Sequence, residues 1–512
     1  MMPAKCLSPA GLLVAITLFA AAQSGAGAAE MRVSDAEQFQ QAVKAAQAGD
    51  KITMANGAWT DVVLVFDARG EQDEPVTVAA ETPGQVIITG SSRMGVRGQW
   101  LVVSGLVFRD GCPPPGQTPE WLAERGITQY PAVMSVSGSN LRITECAFID
   151  YNPPVEPELQ WRHLYYWVAM GGRDVRLDHC YFRGQTHQAP TVNVGVSERP
   201  VRAHIDTNHF AGRPPLGRNG AETIRIGYSG TAHHNAHCIV ERNLFEDCDG
   251  ESEIISNKSC ENTYRYNTFR RNSGHLTLRH GDRCTVEGNY ILGEGKARSA
   301  GIRVIGEEHR VINNYISNTT GFGISLYAGW VVGKIGYVQV RRLLMAFNTI
   351  LNTAGPCLEL GGHGWDAEEH GAIMPEDCSF AYNAMSRPGE TVIESRGDCT
   401  DLRWHNNMVH GSDPGIQDEG VQLVDDLMMI ADPSGIFRPA PDSSLRNAVS
   451  PPPADFLGTA MIWNLADVVL DIQGKQRGEC CDIGCFQVSD ETLTHVPLTA
   501  ADVGPTWMRP EN

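Results

Sequence analysis

The sequence has 512 residues and a formal net charge of −19 at pH 7. Such a charge argues against nucleic acid or an anionic membrane as a general partner. A polyanionic ligand would therefore need a local cluster of basic residues or a metal ion. A chain of this length usually forms several domains, but a repeat fold can extend as one long domain because each repeat contacts only its neighbours.

Residues 1–28 predict a secretory signal peptide. Lys5 precedes an apolar run from Gly11 to Ala22, and small residues at positions 26–28 provide a cleavage site. The run is too short to cross a bilayer, and no later stretch approaches about 18 uninterrupted apolar residues. We expect a secreted or periplasmic protein without membrane insertion.

An amphipathic helix is predicted directly after this segment. Ser34-Asp35-Ala36-Glu37 has the pattern of a capping box, and Phe39, Val43 and Ala46 follow at helical spacing. We expect this helix to cap the open end of the fold. From Lys51 onward the pattern changes to short strands separated by Gly, Asn and Asp. The first predicted strands are Val76 to Ala80, Val86 to Gly90 and Trp100 to Phe108.

An Asn-x-apolar motif then recurs, at intervals from 22 residues (267 to 289) to 35 residues (208 to 243). The repeated positions are Asn208, Asn243, Asn267, Asn289, Asn314, Asn348, Asn383 and Asn407. Cys146 and Cys180 occupy the same place in two earlier copies. This period is typical of a right-handed, single-stranded parallel β-helix, an all-β solenoid in which equivalent Asn side chains stack as a ladder about 4.8 Å apart.

The predicted β-helix covers residues 29–490, with residues 491–512 as a C-terminal tail. Asp482-Ile483-Gly484-Cys485-Phe486 resembles a last coil strand. The insertions at 113–130, 152–161 and 330–341 are expected to form loops that wall one face. The chain has 14 cysteines, which we interpret mainly as buried thiols stacked between coils, because none has the spacing of a zinc site.

Charged residues concentrate between Asn219 and His280, in the segments N-G-A-E-T-I-R-I-G, D-G-E-S-E-I-I-S-N-K-S and G-H-L-T-L-R-H-G. Strand alternation places certain apolar side chains inward: Ile224, Ile226, Leu276 and Leu278. The charged residues between them should then point outward from one face. Those residues are Arg225, Glu251, Glu253, Arg279 and, one coil further, Arg303.

Two of these acids suggest a metal site. Glu251, Glu253 and Asn219 offer carboxylate and amide oxygens, which are ligands suited to Ca²⁺. Lys258 follows the acidic pair, and Arg279 lies one coil further. An amine beside a divalent cation and an arginine has its charged form disfavoured, so it can accept a proton. An arginine beside a leaving oxygen can stabilise negative charge.

These three segments resemble the motifs of polysaccharide lyase family 6, the alginate lyases and chondroitinase B, over roughly residues 31–327. The resemblance implies Ca²⁺ at Asn219, Glu251 and Glu253, with Lys258 as Brønsted base and Arg279 as Brønsted acid. It further implies an anionic polysaccharide substrate, most often alginate, with dermatan sulfate as the alternative. The implied substrate-binding residues are Arg225, His280, Arg303, Tyr166 and Tyr327.

Three other functions are alternatives to the one that this resemblance implies. Gly362-His363-Gly364 is similar to a motif of polygalacturonase-type hydrolases, but the expected Asp pairs on preceding coils are missing. The D-P-H-E pattern of mannuronan epimerases is also absent, since Ser434 follows Asp432-Pro433. A non-catalytic glycan-binding β-helix is the alternative from another class, and it would not need a lysine between the acidic pair and the arginine.

Overall fold

The computed structural model describes residues 28–112, 131–153, 165–330, 336–362, 371–478, 481–488 and 495–509. Within these residues the chain forms a parallel β-helix, as the Asn repeat predicts. Strands of successive coils pair in parallel along two sheets of 24 and 14 strands, and one short antiparallel pair, Met429–Ala431 with Phe437–Pro439, follows the helix. The predicted signal peptide, most of the predicted loop walls and the residues His363 and Gly364 lie outside the described residues.

The 24-stranded sheet comprises two faces of the β-helix. They belong to one sheet because two long strands, Arg93–Ser104 and Ala132–Thr144, run through both faces. What we call the first face consists of Val63–Arg69, Arg93–Ser104, Ala132–Thr144, Tyr166–Met170, Val192–Val194, Ile224–Gly227, Glu253–Lys258, His275–His280, Ile302–Val304, Ile324–Tyr327, Leu358–Gly362 and Ile393–Ser395.

The second face shares the two long strands with the first. Its other strands are Glu30–Val33, Lys51–Met54, Val76–Ala80, Arg173–Asp178, His204–Asp206, Ile239–Glu241, Thr263–Arg265, Thr285–Glu287, Arg310–Ile312, Leu344–Ala346, Ser379–Ala381 and Arg403–His405.

The third face is the 14-stranded sheet. It consists of Gly57–Thr60, Val86–Gly90, Leu106–Gly111, Ala147–Ile149, Tyr181–Arg183, His209–Arg213, Leu244–Cys248, Thr268–Arg270, Tyr290–Leu292, Tyr315–Ser317, Thr349–Leu351, Ala384–Thr391, Asn407–Asp413 and Val421–Leu423.

The Asn ladder exists as predicted and lies at the turn between the second and third faces. All eight side chains are buried, and Nδ2 of each of the first seven donates to Oδ1 of the next Asn at 2.8–3.0 Å. The Cys180 N–H donates to Asn208 Oδ1, so Cys180 begins the same register. Each buried amide group thereby has its partners, which makes the ladder a specific lock on coil register.

Aromatic stacking reinforces this register inside the helix. Six Phe rings in consecutive coils stack with centroids 4.7–5.1 Å apart: Phe108, Phe148, Phe182, Phe210, Phe245 and Phe269. Nine of the cysteines are buried as free thiols, as the sequence predicts, among the residues that the structure describes.

The predicted helix is present as Ala36–Ala45, and its buried residues Phe39, Ala42 and Val43 join the core. Its predicted cap is wrong by one residue. Asp35, rather than Ser34, is the N-cap and accepts from the Gln38 N–H, while the Gln38 side chain accepts from Ser34. The third predicted strand also differs, because Gly105 breaks it into two strands on different faces.

The predicted last strand at Asp482–Phe486 is wrong, because these residues form no strand. They pack on the outside of the third face, where the Cys485 N–H donates to Thr349 Oγ1. The C-terminal segment, residues 495–509, runs back across earlier coils. His495 stacks on Tyr266, Leu498 N–H donates to Thr268 and Trp507 Nε1 donates to the Glu145 carbonyl. In the described part of the chain, no helix has the length and apolarity to span a membrane.

Candidate active site

The charged residues predicted between 219 and 303 meet on the first face. Arg225 aligns with Ser256, Thr277 and Arg303 across four neighbouring strands. The residues predicted to point inward are fully buried in the core: Ile224, Ile226, Leu276 and Leu278. Strand alternation therefore holds the polar set together on the outside of this face.

The strand Glu253–Lys258 is irregular at its start, since its pairing skips Ile254 between Glu253 and Ile255. In a regular strand, residues three apart point to opposite sides. Here the Ser256 hydroxyl donates to Glu253 Oε2 at 2.5 Å, and Ile254 packs in the core. The irregularity therefore redirects Glu253 toward the other polar residues, as bulges beside active sites do.

A second irregularity lies at the other end of the same strand pair. The pairing skips Arg279 between Leu278 and His280. Arg279 Nη1 donates to Glu253 Oε1 at 2.9 Å, and Arg303 Nη1 lies 3.5 Å from the same oxygen. Two guanidinium groups from consecutive coils thus converge on one carboxylate.

Three carboxylates form a cluster at the start of these strands. Glu222, Glu251 and Glu253 each place an oxygen within 4.8 Å of the others. Burial raises the pKa of Glu251 to about 8, together with the negative charges of Glu222 and Glu253. Burial also raises the pKa of Glu253, but Arg279, Arg303, Lys258 and the Ser256 hydroxyl outweigh it and hold this pKa at about 2.

The cluster fits a divalent cation with oxygen ligands. Glu222 Oε2 is buried and has no hydrogen-bond partner among the residues that the structure describes, although buried polar atoms normally have one. Arg279 and Arg303 pair with Glu253 and Lys258 pairs with Glu222, yet the pKa of Glu251 is still raised, as expected for a carboxylate without a cation of its own. Carboxylate oxygens are the ligands that Ca²⁺ prefers. Two of the three, Glu251 and Glu253, are predicted ligands. Asn219 is exposed, and its neighbour Gly220 donates its N–H to Glu251 Oε1 at 3.4 Å.

Sequence reasoning did not assign a role to Glu222. It lies within the segment N-G-A-E-T-I-R-I-G, two residues before its strand, as Glu251 lies two residues before Glu253. That shared position was the available signal. The side chain also contacts Lys258, whose Nζ lies 3.2 Å from Glu222 Oε1.

The predicted substrate-binding residues border this centre. Arg225 Nη2 donates to the Tyr166 hydroxyl at 2.8 Å, and its Nε donates to Asn193 Oδ1 at 3.0 Å. The Arg303 guanidinium lies 4.0 Å from the centroid of the Tyr327 ring. Both arginines therefore contact an aromatic residue of the first face: Tyr327 is on the strand next to that of Arg303, and Tyr166 is two strands away from Arg225.

His280 lies on the Lys258 side of the centre. Its Nε2 is 3.1 Å from the Ser229 hydroxyl. Burial lowers the pKa of His280 to about 4, with the positive charges of Arg279 and Lys258 adding to the effect. The ring is therefore neutral at pH 7 and can donate or accept one hydrogen bond at each nitrogen according to its tautomer.

Tyr337 was not predicted, although it comes from one of the expected loop insertions. Its ring centroid lies 5.6 Å from the Arg279 guanidinium and 5.3 Å from that of Arg303. The residue is buried, and the Trp330 N–H donates to its carbonyl at 2.9 Å. A loop residue distant in sequence therefore covers both guanidinium groups.

Comparison with known proteins identifies the family. The family model described as chondroitinase B matches residues 33–392. The chain belongs to the chondroitinase B family. Within that match lie all the residues of the acidic cluster, Lys258, Arg279 and Tyr337. No curated protein sequence matches the chain.

Solved structures similar to this member of the chondroitinase B family are described as polysaccharide lyases. The PL6 family alginate lyase AlyGC is 30% identical with a TM-score of 0.72, over 81% of this chain and 55% of that chain. The chain thus spans about half the length of AlyGC. A mannuronic acid specific polysaccharide family 6 lyase from human gut microbiota is 27% identical with a TM-score of 0.66, over 78% of this chain and 91% of that chain.

A third similar structure supports the fold alone. The PL6 family polysaccharide lyase Pedsa3628 from Pseudopedobacter saltans is 23% identical with a TM-score of 0.65. The match covers 93% of this chain and 99% of that chain. The β-helix and the C-terminal region after it thus have a counterpart in a solved structure.

Proposed function

We propose that this protein is a polysaccharide lyase that cleaves a uronate polymer by β-elimination, with alginate as its substrate. The observation that carries the proposal is the arrangement of Lys258 and Arg279 on neighbouring strands around three carboxylates. Membership of the chondroitinase B family and the two similar lyases at 27–30% identity support it.

The residues that would hold Ca²⁺ are Glu222, Glu251 and Glu253, with Asn219 as the further ligand implied by the resemblance. When bound, the ion supplies positive charge that neutralises the uronate carboxylate and so acidifies the neighbouring C5–H. A glycoside hydrolase would instead place its two carboxyl groups on opposite sides of the scissile bond. Three carboxylates within 4.8 Å of one another suit a cation better than that role.

The side chains then divide the reaction between them. The Lys258 amine, acting in its unprotonated form, accepts the C5 proton, and a C4=C5 double bond forms as the bond from C4 to the glycosidic oxygen breaks. Arg279 stabilises the negative charge on the departing oxygen and delivers its proton. The products are an unsaturated uronate at a new non-reducing end and a free hydroxyl on the other fragment.

Substrate binding is assigned to the residues around this pair. Arg225, His280 and Arg303 would bind the carboxylates of successive uronates, and Tyr166 and Tyr327 would contact sugar rings. The basic residues are concentrated at one site, so they can attract a polyanion there despite the protein's net charge of −19. Export of the protein through its predicted signal peptide would bring it to such a polymer.

A lyase assay tests the proposal directly. Purified protein is incubated with alginate, mannuronate-rich blocks, guluronate-rich blocks and dermatan sulfate, and ultraviolet absorbance of the unsaturated product is followed with Ca²⁺ or a chelator. We expect signal on alginate that the chelator abolishes. Signal on dermatan sulfate alone would establish the alternative substrate. Binding of alginate without any product would establish the non-catalytic glycan-binding function instead.

A further inference from the structure

A buried arginine lies directly behind the acidic cluster. Arg213 ends the strand His209–Arg213 on the third face, and only 3% of its surface is exposed. Its Nη1 donates to the main-chain carbonyl of Glu222 at 2.7 Å. Its Nη2 donates to the carbonyls of Ala189 at 2.7 Å and His187 at 3.1 Å. The Arg213 guanidinium therefore links Glu222, which lies two residues before a first-face strand, to His187 and Ala189 of the previous coil.

The same residue contacts the turn that leads into Glu251. The Asp249 N–H donates to the Arg213 carbonyl at 2.8 Å. A Cβ atom at Gly250 would lie 2.8 Å from Arg213 Nε and 2.4 Å from the Ala221 carbonyl oxygen, so only glycine allows this close approach. Arg213 thus contacts the main chain of Glu222 directly, and it contacts the Asp249–Gly250 segment that immediately precedes Glu251.

The charge of Arg213 has no direct counterion. Among the residues that the structure describes, none forms a salt bridge with it, and all its partners are carbonyl or hydroxyl oxygens. Burial lowers the pKa of Arg213 to about 10, although the carboxylates of Glu222 and Glu251 raise it in part. A buried charge is costly, and a lysine could not span carbonyls of two coils with a planar group. Position 213 therefore favours arginine, because its planar group can donate to all these carbonyls at once.

We infer that Arg213 is a positioning residue that sets the separation of the Glu222 and Glu251 carboxylates for cation binding. This inference rests on the proposed function, since it concerns the cation site of the same centre. Residues that orient metal ligands through hydrogen bonds typically change metal affinity about 10-fold to 100-fold when they are replaced. Arg213 acts on Glu222 through its main-chain carbonyl and on Glu251 through the preceding residues Asp249 and Gly250, rather than through the carboxylates.

The test compares Arg213→Lys with Arg477→Lys in the full chain. Arg477 is also buried and donates to the Gly484 carbonyl and to Asn313 Oδ1, far along the chain from the cluster. Ca²⁺ binding is measured by isothermal titration calorimetry, and thermal unfolding is measured in chelator. We expect Arg213→Lys to weaken Ca²⁺ binding about 10-fold or more. Arg477→Lys should lower the unfolding temperature and leave Ca²⁺ affinity within about two-fold of wild type.

A milder variant guards against loss of the fold. Thr191→Val removes the 3.3 Å contact with Arg213 Nη1, and we expect about three-fold weaker Ca²⁺ binding. If Arg213→Lys and Thr191→Val lower stability but leave Ca²⁺ affinity unchanged, Arg213 is purely structural and the inference is wrong. If the wild-type protein binds no Ca²⁺, the cation site of the proposed function fails, and the inference fails with it.

Discussion

Lys258 Nζ lies 3.2 Å from Oε1 of Glu222, a carboxylate that also belongs to the acidic cluster. The proposed base and the proposed cation site therefore share one side chain. The Lys258 amine and a bound cation would both be attracted to the Glu222 carboxylate, so cation binding would affect the contact between Lys258 and Glu222. Lys258 is also buried, which strengthens this interaction relative to a surface ion pair.

Lys258→Met is expected to lower kcat/KM about 100-fold to 10,000-fold, the usual contribution of a general base, because it removes the amine and keeps the stem. Lyase activity is measured by ultraviolet absorbance and the fold by circular dichroism. Lys51→Met is the matched control, since Lys51 is exposed and forms a surface ion pair with Glu30, away from the first face. More than a tenth of wild-type activity in the Lys258 variant would remove it from the mechanism.

Arg279→Lys is expected to lower kcat about 100-fold with a smaller change in KM. Lysine keeps the charge but loses the planar group that contacts Glu253 and lies beneath Tyr337. Steady-state kinetics on alginate measure both constants. Arg265→Lys, which replaces an arginine paired with Glu241 on the second face, should retain wild-type kinetics. Equal losses in the two variants would point to general destabilisation.

Tyr337→Ala should raise KM and lower kcat together, each several-fold, because the Arg279 guanidinium loses its contact with this ring and that of Arg303 loses one of two aromatic contacts, retaining Tyr327. A cation–π contact contributes about 0.5–2 kcal/mol. Tyr337→Phe keeps the ring and is expected to behave like wild type. Tyr266→Ala removes a comparable ring that packs against His495 at the turn between the second and third faces, and its kinetics should not change. A large loss in Tyr337→Phe would instead assign the effect to the hydroxyl.

The ladder offers a prediction about stability rather than activity. Asn289→Ala removes the oxygen that accepts from both the main-chain N–H and Nδ2 of Asn267. Leaving buried donors unsatisfied should lower the free energy of unfolding by about 2–4 kcal/mol. The midpoint of urea unfolding measures the loss. Asn464→Ala removes one solvent-exposed hydrogen bond, from the Ala466 N–H at a three-residue turn, and should lower the midpoint less than Asn289→Ala does.

The second face carries an ion network whose effect depends on pH. Burial raises the pKa of Glu241, but hydrogen bonds from His204 and Arg265 outweigh it and bring the pKa from 4.5 to about 2. A carboxylate with a lowered folded-state pKa stabilises the fold above its unfolded pKa and loses that contribution as pH falls through the folded value. The stability gap between wild type and Glu241→Gln should therefore be full above pH 4.5 and narrow toward pH 2.

Urea midpoints at pH 7, pH 4 and about pH 2.5 test this dependence. Glu71→Gln, at an exposed turn, serves as the control and should show little gap at any pH. A Glu241 gap that stays constant as the pH falls would show that the carboxylate charge does not contribute to stability.

The register in which the coils stack could be predicted from the sequence, because Asn recurs at the same turn of successive coils. Asn289 and its equivalents are needed at each turn for hydrogen bonding, so the pattern survives variation in loop length. The alternation around Arg225 and Arg279 likewise follows from strand geometry. Both features depend on the position of a residue within its own turn or strand, so they produce a pattern that the sequence shows.

Other features depend on contacts that no short pattern encodes. The skipped residues Ile254 and Arg279 follow from pairing with another coil. Tyr337 reaches the centre from a loop whose path the sequence does not specify. Residues 482–486 have a strand-like pattern because they bury Ile483 and Cys485, but they do so against the outside of the helix.

The C-terminal segment sets an order on assembly. Asn ladder neighbours are separated by 22 to 35 residues, so coils can stack one after another while the chain is being made. Thr506, however, donates to Glu145 across 361 residues. That contact can form only after residue 506 has been synthesised. Until then, the surface of the early coils from Glu145 to Thr268 is not covered by the C-terminal segment, so a chain still being made exposes a surface that the folded protein covers.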